Sequence, residues 1–441
     1  MTRVHLGRGE RDTSRRRVAG AAVVGLALLA SACSSSSSPK STSTSQPASG
    51  ATTATTAGAV SSALGTPNAA TGPTLTVGYL TDGQNGSVDN LSEIPAAQAA
   101  VSYINAYLGG IGSAHYALKL DVCNDQDTPA GATNCANQMI ASHVPIVLNN
   151  TSGQDGTIYS ALAAGNVPMM TYQTAVAAQL TGKLSYVLSN GLASSFAAPV
   201  ALAKQLGAKR AALLVIDVPA ASGPAQQLMP LFSKNVGFPI DVVAIAPGTA
   251  DMTPQVQAEI SKGADFIELL GDVSFCTSAL KAMKTLAYTG TTAMIAQCQD
   301  TGSYKGIPGG YAGVYETTVA STLPTDPDVA LYEAAMAKYA SGTQPFANGV
   351  TQGGFAVVLG FARATTALSG TTSASIESAI TGMGPARMPF GAGGTFQCNG
   401  KQVSIAPNIC SSGALSAKLD TQGNPVGSFQ SIDTSAITKI G

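Results

Sequence analysis

A set of polar residues stands just beyond short apolar runs, and their types decide what chemistry the chain is able to do. Asp82 and Gln84 follow Thr74–Leu80, and Ser152 follows Pro145–Leu148. Gln173 and Thr174 follow Val167–Thr171, Asp272 follows Phe266–Leu270, and Gln299 and Asp300 follow Ala293–Ile295. Carboxylates, amides and hydroxyls in such places hydrogen-bond a small polar ligand. Ser152 also precedes a helix start, where free amides favour an anion. Each residue has a plainer role as well: Ser152 as an N-cap, Gln173 and Thr174 as turn residues, and Asp272 and Asp300 as helix caps or solvated side chains. Catalytic patterns are missing. There is no Gly-x-Ser-x-Gly elbow, no phosphate-binding P-loop and no His-Glu-x-x-His. The expectation is a binding protein, not an enzyme, with no cofactor and no metal.

The elements that must position these residues alternate. Strand-like runs at 74–80, 116–123, 145–148 and 167–171 are separated by helix-period segments at 94–108, 129–142 and 155–164. Gly109-Gly110 ends the first helix, and Pro129 opens the second. The series then restarts. Strands are predicted at 211–216, 240–246, 266–270 and 293–295, with helices at 196–206, 225–235, 253–262 and 277–286. Helices follow at 326–339, 349–367 and 373–381, before a strand-rich tail. Such alternation predicts α/β architecture with parallel sheets covered by helices on both faces, here as two doubly wound lobes.

The N-terminus reads as an export signal. Arg15-Arg16-Arg17 precedes the apolar run 18–30, and Ala30-Ser31-Ala32 precedes Cys33. The run is shorter than the roughly 20 residues of a membrane span. Cys33 resembles the lipidated cysteine of bacterial lipoproteins, which implies a signal peptide over 1–32 and a lipid anchor on the extracytoplasmic face of the cell membrane. Residues 33–73 are rich in Ser, Thr, Ala, Pro and Gly, and are predicted to be a disordered tether. Six basic and two acidic residues precede Cys33, so the remaining chain keeps 17 Lys+Arg against 22 Asp+Glu, a net charge of −5. That balance gives no attraction to nucleic acid.

The order and spacing of several segments resemble the branched-chain amino acid receptor branch of the type I periplasmic-binding-protein superfamily. They are Leu75–Leu80, Ile104-Asn105 with Gly109–Gly112, Asn124–Pro129, Val144–Leu148 with Ser152, Asn166–Met170, and Pro389–Phe396. The resemblance implies two hinged lobes, one over 74–192 plus 320–370 and the other over 193–319 plus 371–441. It implies a small polar ligand, amino-acid-like or a carboxylate or amide, bound between them by a monomer and delivered to an ABC permease. An alternative is a ligand-sensing lipoprotein that signals to a partner. Ser152 matches the position that meets the ligand carboxylate, and Gln173 and Thr174 lie where further contacts come. The acid that meets an ammonium aligns near Ala193 or Ser194, neither of them acidic, which leaves Asp272 or Asp300 for a cation contact.

With Cys33 set aside, six cysteines remain. They fall as Cys123 with Cys135, Cys276 with Cys298, and Cys398 with Cys410. Six cysteines allow fifteen pairings, of which the local pairs are simplest. Zinc is the competing reading, but no Cys-x-x-Cys exists and only His115 and His143 lie beyond Cys33.

Overall fold

The computed structural model describes residues 62–440, apart from 86–88, 175, 190, 300–301 and 347–348. Cys33 and most of the tether lie outside the described residues, as does Asp300. Among the described residues no helix is long and apolar enough to cross a membrane.

The first sheet contains β1 (Thr74–Thr81), β2 (Ala117–Asn124), β3 (Val147–Asn149), β4 (Met169–Thr171) and β5 (Ser185–Val187). All its pairings are parallel, in the order β2-β1-β3-β4-β5. A second series begins with β6 (Ala211–Ile216), β7 (Ile240–Ile245), β8 (Phe266–Leu270), β9 (Thr291–Ile295) and β10 (Tyr315–Thr318). These repeat the same spatial order, β7-β6-β8-β9-β10. A small hairpin, β11 (Ala386–Arg387) with β12 (Thr395–Phe396), stands apart. The edge of the second sheet is completed by antiparallel β13 (Gly413–Lys418) and β14 (Gln430–Asp433). Helices on both faces explain the unbroken apolar runs in the sequence. Val77, Tyr79 and Leu80 of β1 are all fully buried, as expected of a parallel strand with no solvent face.

Two large apolar clusters form, one around each sheet. The first is built on the helix Glu93–Tyr107 packed against the helix Gly349–Ala364. Gly353 and Gly354 permit that approach. A Cβ on Gly353 would stand 2.0 Å from Asn150 Oδ1, and one on Gly354 would stand 2.7 Å from the Glu93 carbonyl. Both partners belong to the candidate site described below.

Two predicted boundaries are corrected. The segment 371–410 was expected in the second lobe, but much of it packs on the first. Ile376, Ile380, Met388, Phe390 and Phe396 join the first cluster. Phe390 meets Tyr332 and Phe355 at ring-centroid distances of 5.5 and 6.2 Å. Arg363 clamps Asp328 with two bonds of 2.7 Å, and Arg387 adds bonds to Asp326 and Asp328. Residues 408–410 cover the edge of β5 through Val187, whose amide donates to the Asn408 carbonyl and whose carbonyl accepts from Cys410. The chain returns to the second sheet only with β13. The tether is also shorter than expected. Leu64 is buried in the first cluster, the Asn68 amide donates to the Ala106 carbonyl at 2.9 Å, and that of Gly72 donates to the His115 carbonyl at 2.9 Å. One apolar anchor and paired backbone suffice to order this low-complexity stretch.

The disulfides are Cys123–Cys135, Cys276–Cys298 and Cys398–Cys410, as the spacing suggested. Replacing Phe390 by Ala removes a fully buried ring from the first cluster. Urea unfolding should show a loss of about 3–5 kcal/mol; a loss below about 1 kcal/mol would return this segment to the second lobe.

Candidate functional site

Parallel register brings the ends of the first sheet's strands to one height. Thr81 lies opposite Asn124, Leu80 opposite Asn149, and Asn149 opposite Thr171. The residues that follow, Asp82, Asp125, Asn150 and Tyr172, therefore form one rim. The chain goes from β1 outward to β2 and back to β3, so this rim includes the switch point where open α/β sheets bind ligands.

The rim is crowded with carboxylates. Asp82 Oδ2 accepts from the Gly153 amide at 3.3 Å and from the Asn90 side-chain amide at 3.4 Å. Asp125 Oδ1 accepts from the Asp127 amide at 2.8 Å, and its Oδ2 accepts from the Ser152 hydroxyl at 3.4 Å. The Asn150 side chain donates to Glu93 Oε2 at 3.3 Å. Asp155, at the start of the helix Asp155–Ala164, is 3% exposed and lies against Thr174. Among the described residues, none of these acids is ion-paired with Lys, Arg or His. Burial therefore pushes their protons on. Glu93 is raised to about 8, Asp155 to about 7 and Asp125 to about 6, and Asp82 moves the same way. Desolvation is the main cause in each, and the neighbouring acids add repulsion.

The residues predicted for the site divide into two groups. Asp82, Ser152, Gln173 and Thr174 are brought together. The Ser152 hydroxyl accepts from the Gln154 amide at 2.9 Å, a local turn bond just ahead of the helix Asp155–Ala164 and not a cap of it, besides donating to Asp125. The Gln173 amide donates to the Asn150 carbonyl at 3.1 Å, and the Thr174 hydroxyl accepts from the Val176 amide at 3.1 Å. The others stand apart. Gln84 is exposed and bridges to Asp89. Asp272 is exposed and caps the helix Val273–Thr285 by accepting from the Phe275 amide at 2.8 Å. Gln299 turns away to donate to Glu316 at 3.2 Å, while burial raises Glu316 to about 7.

A cavity of about 50 Å³ joins the two sheets, lined by Gln173 on one side and by Ser195, Gln297, Thr317 and Thr318 on the other. Gln297 thus occupies the place foreseen for Gln299. A larger hollow of about 800 Å³ opens beside Lys183, Glu377, Lys401 and Asn408. It lies at the opposite ends of β4 and β5, where they begin, and so away from the switch point. The inter-sheet cavity approaches the polar rim through Gln173, the residue after Tyr172.

Glu93, Asn150 and Asp155 were missed by sequence reasoning. Glu93 and Asp155 stand in first helical turns, where acidic residues are common, and only their packing removes water from them. Their raised proton affinities set a sign for stability. The folded chain holds protons that the unfolded chain releases above its ordinary carboxyl range, so stability falls as pH rises from about 4 to about 8. Thermal unfolding followed by circular dichroism should show Tm dropping across that window, with a shallower drop for Glu93→Gln. A Tm that climbs with pH would contradict the burial of these acids.

A profile of the periplasmic binding protein family matches residues 74–405. No curated protein matches the chain by sequence. Among solved structures, an ABC transporter substrate-binding protein from Sphaerobacter thermophilus aligns with a TM-score of 0.64 at 17% identity, covering 83% of this chain and all of that one. The branched-chain amino acid transporter substrate-binding protein of Streptococcus pneumoniae, solved with isoleucine, aligns at 0.57 and 15% identity, over 81% of this chain and 99% of its own. A solute-binding protein from R. palustris, solved with 4-hydroxybenzoate, aligns at 0.58 and 14%, over 82% and 98%. At 14–17% identity these likenesses show a shared fold. The chain belongs to the periplasmic binding protein family.

Proposed function

We propose that this chain is a lipid-anchored receptor on the outer face of the cytoplasmic membrane, which captures a small polar solute and passes it to an ABC permease. The observation that carries this reading is the polar rim at the first sheet's switch point, set against Gln297 and Thr317–Thr318 across the inter-sheet cavity. A cavity of about 50 Å³ has room for a few water molecules. Ordinary solute pockets run to about 300 Å³ or more, so admitting a solute requires the lobes to part and close again. The crossings after β5, after β10 and before β13 are the segments able to bend. Cys33 and the tether would keep the receptor concentrated beside its permease.

Small-angle scattering on the purified chain should show a smaller radius of gyration with any solute that raises its Tm. Stabilisation without compaction would count against hinged capture. For the anchor, Cys33→Ser should move the chain from the membrane fraction to the medium or soluble fraction. Retention in the membrane would remove lipidation from the account.

A further inference from the structure

One buried acid lies far from the first sheet's edge. Glu268 stands in the middle of β8, and both of its carboxyl oxygens are buried without a hydrogen-bond partner. It borders a cavity of about 10 Å³, which holds no more than one water molecule. Every other side chain around that cavity is apolar. Phe196, Pro199 and Ala203 come from the helix Gly191–Gln205, Met229 from the helix Pro219–Val236, and Leu213 and Ile240 from β6 and β7. Among the described residues no charge faces Glu268 from these elements. Asp241, paired with Arg210, is on the opposite face of the sheet, because it is level with Ala212 whereas Glu268 is level with Leu213. Lys204 and Lys234 are exposed in the last turns of the two helices. Burial pushes the Glu268 proton on, well above the usual carboxyl range.

An isolated carboxylate in apolar surroundings is costly, whereas the neutral acid is tolerated. A methionine would fill the same place with no dependence on pH, so packing does not account for the acid. Its cover leads to the cavity between the sheets. Phe196 borders the cavity at Glu268, and the residue before it, Ser195, lines the inter-sheet cavity together with Gly191. Pro199 has no N–H to give the Ser195 carbonyl, so the helix is weakest in the turn that joins the two cavities. We propose that Glu268 is a proton-dependent latch: uncharged, it lets the helix Gly191–Gln205 close on the second sheet, and loss of its proton frees the turn at Pro199 and with it the second-sheet wall of the inter-sheet cavity. A charged Glu268 must be hydrated, and that turn is where its cover yields. The closed helix keeps a proton that the opened one releases above the ordinary carboxyl range. Closure therefore weakens as pH rises from about 4 toward the raised value of the buried acid. The latch goes beyond the receptor reading and does not depend on which solute is captured.

The test is hydrogen exchange read by mass spectrometry on the full chain without solute, from about pH 5 to about pH 8, with rates corrected for the chemical effect of pH on exchange. Opening in peptides from 196–205 should grow by up to about tenfold per pH unit. Glu268→Met and Glu268→Gln should each flatten that dependence and restore protection at the upper end. Exchange in 196–205 that is flat in the unmodified chain overturns the latch, and this reading stands even if neither variant folds. A rise that a folded variant keeps overturns the assignment to Glu268. An equally steep rise in the helix Val273–Thr285 of the same lobe overturns a latch local to Gly191–Gln205, because the whole lobe would then be opening. None of these outcomes bears on solute capture, which the scattering experiment decides separately.

Discussion

The parallel register of β1 between β2 and β3 is the constraint on which the rest depends. Hydrogen bonding fixes Thr81 against Asn124 and Leu80 against Asn149. The next residue of each strand must then emerge at the same edge. A one-residue slip would reverse every side chain and send the apolar residues of β1 to the wrong helices. The polar rim is thus a by-product of the same register that buries Val77 and Tyr79. Because the second sheet repeats the strand order, it presents an edge of its own to the first, and the inter-sheet cavity lies between the two.

That arrangement has a stability cost. Carboxylates withdrawn from water without counter-charges destabilise the fold unless they hold protons. The surrounding structure offsets it. The helix Gly349–Ala364 is almost wholly buried, and its Gly353 and Gly354 let backbone and Asn150 pack with no intervening side chain. The aromatic contacts of Tyr332, Phe355 and Phe390 brace the same lobe from below, with the Arg363–Asp328 clamp beside them. In that lobe the ion pairs lie where they support packing, and the unpaired acids lie at the ends of the strands.

Much of the fold was legible along the chain. The strands at 211–216 and 266–270 and the helix at 155–164 coincide with the observed elements, because an apolar run bounded by turn residues leaves few alternatives. A short element escaped notice: β5 is only three residues long and has too few positions to show a period. Leu64 was hidden by its low-complexity neighbours, although one apolar side chain was enough to order them. Segment 371–410 was misplaced because a helix and a hairpin carry no label saying which sheet they cover.

By itself the sequence determined the α/β class, the repetition of two like series, the three local disulfides and the polar residues that follow strands. These are consequences of local periodicity and short chain separation, which need no knowledge of distant contacts. Only the tertiary structure decided which of those residues share a site. Asp82 and Ser152 meet Glu93, Asp125 and Asp155, whereas Asp272 and Gln299 are taken by a helix cap and by Glu316. It also decided their electrostatics. A carboxylate's proton affinity depends on the water and charges within a few ångströms, and those neighbours come from β1, β2, β3 and a helix more than 250 residues away along the chain.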